Sequence, residues 1–130
     1  MNPYANPRAY QEQAILTATP GQLVVMLYDG IVRFLRQADA AFEARAIAQA
    51  HERLGRAEAI VDELQATLDM SQGSVAENLE GIYVFWKGCI MEIRLEQDRE
   101  KLQRIVAQVA NLREAWAQIA QSAEATSAAA

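Results

Sequence analysis

Thr19-Pro20-Gly21-Gln22-Leu23-Val24-Val25-Met26-Leu27-Tyr28-Asp29-Gly30-Ile31 is the stretch on which the fold turns. Threonine caps helices, proline fits the first helical position, and a glutamine three residues after the threonine completes a capping box. A helix therefore starts here. Val24, Leu27, Ile31, Phe34, Ala38 and Ala41 follow at alternating steps of three and four, an apolar stripe that predicts helix to about Phe42. Asp29-Gly30 would mark a hairpin elsewhere, but the stripe passes through it in phase, so the pair reads as helix.

The same alternation continues outward. Ile47, Ala50, Leu54, Ala57, Val61, Leu64 and Leu68 predict a second helix over about 44–68. No Gly or Pro lies between Phe42 and Ile47, so the break near 43–45 is placed by the phase of the two stripes. Ser74 with Glu77 reads as a second capping box, opening a helix that carries Val75, Leu79, Ile82, Trp86, Cys89 and Ile93. Asp98 caps a fourth, with Leu102, Ile105, Val109, Leu112, Trp116, Ile119 and Ala123. Short connections between four amphipathic helices predict an all-α fold, an antiparallel up-down four-helix bundle over residues 19–124. Residues 1–18 are expected to form an N-terminal apolar arm or lid, with Ala14, Ile15 and Leu16 as its greasy part, and residues 125–130 a flexible tail.

Composition sets the limits of function. The 130 residues suit one domain, and 52% hydrophobic with 22% charged residues supplies a real core. A net charge of -5 repels a phosphate backbone, which argues against nucleic acid as a partner. The start is polar and broken by Pro3 and Pro7, unlike a secretory signal. The longest apolar run, residues 23–28, is far short of the roughly 20 residues that span a bilayer, so no membrane insertion is expected and the location is read as cytoplasmic. A lone cysteine, Cys89, is compatible with a reducing compartment.

Catalytic apparatus is not visible in the sequence, and the chain is read as no enzyme. One histidine, His51, cannot supply the paired Glu-x-x-His ligands of a di-iron bundle, so neither metal nor cofactor is expected. His51 reads as a boundary imidazole and Cys89 as a small core hydrophobe. The informative feature is surplus apolar surface. Leu23, Met26, Tyr28, Leu35, Ile60, Tyr83, Phe85 and Ile90 exceed what one helical seam requires and are the candidate lining of a groove for a partner helix or an extended apolar peptide. Gly81 and Gly88, seven residues apart on one helix face, are candidate close-approach positions, within the fold or toward a ligand, where a larger side chain would do harm.

Residues 17–23 (Thr-Ala-Thr-Pro-Gly-Gln-Leu), Met26-Leu27-Tyr28-Asp29-Gly30, residues 59–64 (Ala-Ile-Val-Asp-Glu-Leu), Leu68-Asp69, Ala76-Glu77-Asn78-Leu79, Ile82-Tyr83 and Leu112-Arg113-Glu114-Ala115-Trp116 together resemble the flagellin-specific secretion chaperones, the FliS family, in order from about Tyr10 to Ile119. The resemblance implies a cytoplasmic export chaperone that binds the C-terminal segment of flagellin, blocks premature polymerisation and keeps it competent for type III export. It further implies that Tyr10, Ile15 and Leu16 serve as a lid, with Tyr10 contacting an export-gate protein. Phe85-Trp86, Gly88-Cys89 and Arg94-Leu95-Glu96-Gln97 depart from the family's usual choices and bear on client specificity. The alternative is a helical adaptor or regulator that binds another flagellar protein through the same groove.

Overall fold

The computed structural model describes the backbone of residues 7–129 and the side chains of 8, 9 and 12–125. It is all-helical: α1 (Pro7–Thr17), α2 (Pro20–Glu43), α3 (Ile47–Ala66), a short 3-10 turn (Met70–Gln72), α4 (Ser74–Glu96) and α5 (Arg99–Ala129). The capping box at the head of α2 is complete. Gln22 N–H donates to Thr19 Oγ1 at 3.2 Å, and Thr19 N–H donates to Gln22 Oε1 at 2.9 Å.

The break between α2 and α3 is made by Arg45, whose φ of 60° puts a non-glycine residue in the left-handed region. The second capping box expected at Ser74 is not formed. Gly73, at φ 71°, occupies the capping position without a side chain to donate to, so Ser74 becomes the first helical residue and Glu77 serves the helix only as a first-turn acid. Asp98 does cap α5, accepting from Lys101 N–H at 3.0 Å. Beyond Glu124, where a tail was expected, α5 continues to Ala129.

α2 packs on α3 and α5, and α4 packs on the same two helices. Their shared interior holds Tyr28, Ile31, Leu35, Leu54, Val61, Trp86, Ile90, Ile93, Leu102, Ile105 and Val109, all essentially without solvent contact. Burial of such side chains stabilises by about 1.5–3 kcal/mol each before conformational entropy is charged against it. Polar ties fix the registers. Asp29 meets Arg113 at 2.8 Å and Asp39 meets Arg99 at 2.7 Å, so positions ascend α2 as they descend α5. Asp62–Lys87 (2.8 Å) and Glu58–Arg94 (3.8 Å) run oppositely along α3 and α4 in the same way. Among the described residues, no helix is long and apolar enough to cross a membrane.

Gly81 and Gly88 are not close-approach positions within the fold. A Cβ added at either would meet nothing within 4 Å, so no neighbouring helix uses their smallness. The close approaches are elsewhere: a Cβ on Gly21 would lie 3.1 Å from Ala120 Cβ, and one on Gly30 would lie 2.9 Å from Ile60 Cδ1.

Candidate functional site

At one end of the helices the core opens to solvent. There the start of α2 (Val24), the end of α3 (Leu64, Thr67, Leu68), the start of α4 (Val75, Ala76, Leu79, Tyr83) and the later part of α5 (Trp116) surround an open cleft of about 250 Å³. Its walls are nearly all apolar. Val75, at the rim, is 62% exposed.

The floor is aromatic and tightly tied. Tyr83 O–H and Tyr28 O–H share a hydrogen bond of 2.6 Å, and the Tyr28 ring lies 6.1 Å from Trp86 and 6.4 Å from Trp116. Trp86 contacts Tyr83 at 5.7 Å and donates its indole N–H to Gln108 Oε1 at 3.1 Å. Burial pushes both phenols above their ordinary range, so they remain neutral. A neutral, mutually satisfied pair is what permits two hydroxyls in an apolar interior.

One polar lip borders the cleft. Asp69 accepts from Ser71 N–H at 3.1 Å and from Gln72 Nε2 at 3.2 Å, which holds the turn between α3 and α4 and draws its carboxyl below the usual range, with the Ser71 side chain contributing most. Its oxygens are engaged in shaping the loop. The arrangement offers a hydrophobic receptacle with a fixed mouth, and nothing in it resembles acid–base machinery. Cys89, 7% exposed, has its thiol pushed up chiefly by burial, away from nucleophilic character. His51 lies half-buried against Phe42, at 6.3 Å between rings. Among the described residues, no three His, Cys, Asp or Glu are grouped so as to hold a metal ion.

The structure redistributes the expected groove residues. Tyr28, Leu35, Tyr83 and Ile90 are core, because each points at the shared interior where three helices meet it. They are corrected from groove surface to interior, with Tyr83 retained as the cleft floor. Ile60 is half-buried against the core and fills the space beside Gly30. Leu23 and Met26 are partly exposed on α2; Met26 borders a separate hollow with Ala14, Thr17 and Arg113. Phe85 is exposed and borders a hollow between α4 and α5, with Gly88, Lys101 and Arg104, away from the cleft. On α1, Ile15 is exposed and Leu16 is 85% exposed, so neither covers the cleft in this state. Tyr10 lies on α1, with its side chain outside the described residues.

Val24, Leu68, Val75, Leu79 and Trp116 form the cleft instead, although the pattern had placed them on core stripes. A signal was available: in helices of opposing direction, the first stripe residues of α2 and α4 and the last of α3 come to the same end, where no further layer lies above them.

The family model described as "Flagellar protein FliS" matches residues 1–123. The chain is 32% identical over 121 residues to the flagellar secretion chaperone FliS of Bacillus subtilis (strain 168), covering 93% of this chain and 88% of that protein. To the protein of the same description from Salmonella typhimurium it is 32% identical over 114 residues, 86% and 84% of the two chains. To that of Campylobacter jejuni it is 31% identical over 112 residues, 85% and 88%.

Proposed function

The chain belongs to the FliS family of flagellar secretion chaperones, and on that premise we propose that it binds the C-terminal helical segment of flagellin by seating apolar side chains in the cleft enclosed by the start of α2, the end of α3, the start of α4 and Trp116 of α5. Bound there, the segment cannot polymerise prematurely and stays competent for type III export. The opposed registers of the cross-helix ion pairs support reading α2 to α5 as an up-down four-helix bundle whose open end receives the client. Residues 1–18 act as an arm or lid, and Tyr10 as a contact for the export gate. The work is done in the cytoplasm, without catalysis.

One observation carries the reading: at one end of the helices a cleft of about 250 Å³ with nearly all-apolar walls stands open, lined by Tyr83 and Trp116 and rimmed by exposed Val75. A mostly unstructured client must lose backbone entropy on ordering, and only substantial apolar burial offsets that loss. Calorimetry with a flagellin C-terminal peptide tests it. One-to-one binding with a negative heat-capacity change is expected, weakened at least tenfold by Val75→Glu, a rim substitution that leaves the core untouched. Absence of binding would move the function to an adaptor for another flagellar protein.

A further inference from the structure

The ion pairs that join α3 to α4 form a ladder that stops one rung short of the cleft. Arg94 meets Glu58 and Lys87 meets Asp62, each pair setting a cation of α4 against an acid of α3. Seven residues nearly restore the same face of a helix, so the next rung on α4 is Glu80, and the matching step on α3 offers Gln65 and Ala66. An acid stands where the cation should be, facing neutral side chains. Glu80 is half-buried, lies one turn from both Ala76 and Tyr83 of the cleft wall, and has no ion pair or side-chain hydrogen bond among the described residues. A partly desolvated carboxylate without a partner is costly, and a cation brought by an occupant of the cleft relieves it.

The charge around the cleft has one sign. Residues 63–86 include Glu63, Asp69, Glu77 and Glu80 and not one Lys, Arg or His, and Asp69 lies in the lining itself. The other walls add no charge, since residues 20–28 of α2 and 115–123 of α5 are all uncharged. The bases that flank these stretches are engaged: Lys87 by Asp62, Arg113 by Asp29 and Glu114, and Arg33 over the Phe34 ring at 5.2 Å. Apolar walls beside charges of one sign concentrate the field at the mouth. We infer that the cleft selects an amphipathic helix carrying a Lys or Arg about one turn from its apolar anchors, with Glu80 receiving the cation and Asp69 adding to the attraction. The inference rests on the cleft being the client site and names what the client must present there.

The test uses the full chain and two designed peptides with the same Leu/Ala seam, one flanked by Lys, its twin by Glu. At low salt the Lys peptide is expected to bind at least about tenfold more tightly than its twin, the two converging as salt rises. Glu80→Gln keeps the size and removes the charge; it should weaken the Lys peptide about fivefold and leave the twin no weaker. Glu100→Gln, the same change of net charge in the first turn of α5 at the far end of the helices, should alter neither. Val75→Gln, which adds no charge to the rim, should weaken the Lys peptide and so place it in the cleft. Equal binding of the twins, an unchanged Lys-peptide affinity in Glu80→Gln or Val75→Gln, or equal losses from Glu80→Gln and Glu100→Gln would each overturn the inference. A flagellin C-terminal peptide should displace the Lys peptide; if it does not bind while the Lys peptide still depends on Glu80, the charge rule stands and only the identity of the client falls.

Discussion

Tyr28 on α2 and Tyr83 on α4 join their hydroxyls at 2.6 Å in the interior, with the Tyr83 ring forming the floor of the cleft. The pair links two helices through the only kind of polar contact that interior tolerates, one in which each partner satisfies the other. Neither residue can serve as a surface probe of client binding, because removing either disturbs the core first.

Replacing one tyrosine by phenylalanine leaves the other hydroxyl buried without its partner, a loss of about 1–3 kcal/mol. Replacing both removes the orphan along with the bond. The double variant Tyr28→Phe/Tyr83→Phe is therefore expected to be no less stable than either single one in urea denaturation. Additive losses from the two single changes would show the hydroxyls to be independent.

Alkaline stability follows from the same pair. Both phenols have folded-state pKa values raised above the ordinary value of about 10, chiefly by burial, so the folded chain binds these protons more tightly than the unfolded one. Their contribution is fully present below about pH 10 and is lost as the pH climbs beyond it toward the folded values. Thermal unfolding followed from pH 8 to 11.5 should show a decline above about 10 that the double phenylalanine variant lacks.

Glycines in open and in crowded places should respond differently. Gly81→Ala and Gly88→Ala add a methyl to open space in mid-helix and should stabilise by about 0.5–1 kcal/mol each. Gly21→Ala would place its Cβ 3.1 Å from Ala120 Cβ, an atom with no rotamer by which to move aside, so α2 and α5 must part slightly and the gain is lost. Melting temperatures of the three variants decide the matter; equal shifts would contradict it.

The two tryptophans should report differently on the client. Trp116 lines the cleft, whereas Trp86 is buried beneath it and bonded to Gln108. Addition of a flagellin C-terminal peptide is expected to shift emission to the blue in a Trp86→Phe variant, with little change in Trp116→Phe. A response confined to Trp86 would place the client elsewhere.

Much of this was legible in the residues. The stripe from Val24 to Ala41 and the Thr19–Gln22 box fixed α2 because local rules and core burial agree there. The start of α4 is less legible, since Gly73 at positive φ takes the position that the capping pattern assigns to Ser74. Site reading was hardest. Tyr28, Leu35 and Ile90 looked like surplus because one helical stripe cannot tell how many neighbours a helix will have; α2 and α4 each face two, which widens the buried arc enough to take them in. Val75, Leu79 and Trp116 followed a core pattern faithfully, and only the end of the helical stack, a property of no single element, left them uncovered.

Every ion pair or side-chain hydrogen bond described between α4 and its neighbours falls at Tyr83 or later: Tyr28–Tyr83, Trp86–Gln108, Asp62–Lys87, Glu92–Lys101 and Glu58–Arg94. Residues 74–82 have none to α2, α3 or α5 among the described residues. The helix is thus hung like a door, hinged along its second half and unlatched along its first. Among the described residues, the half of α4 that borders the cleft rests on α2, α3 and α5 through apolar contact, while its charged ties all lie on the other half.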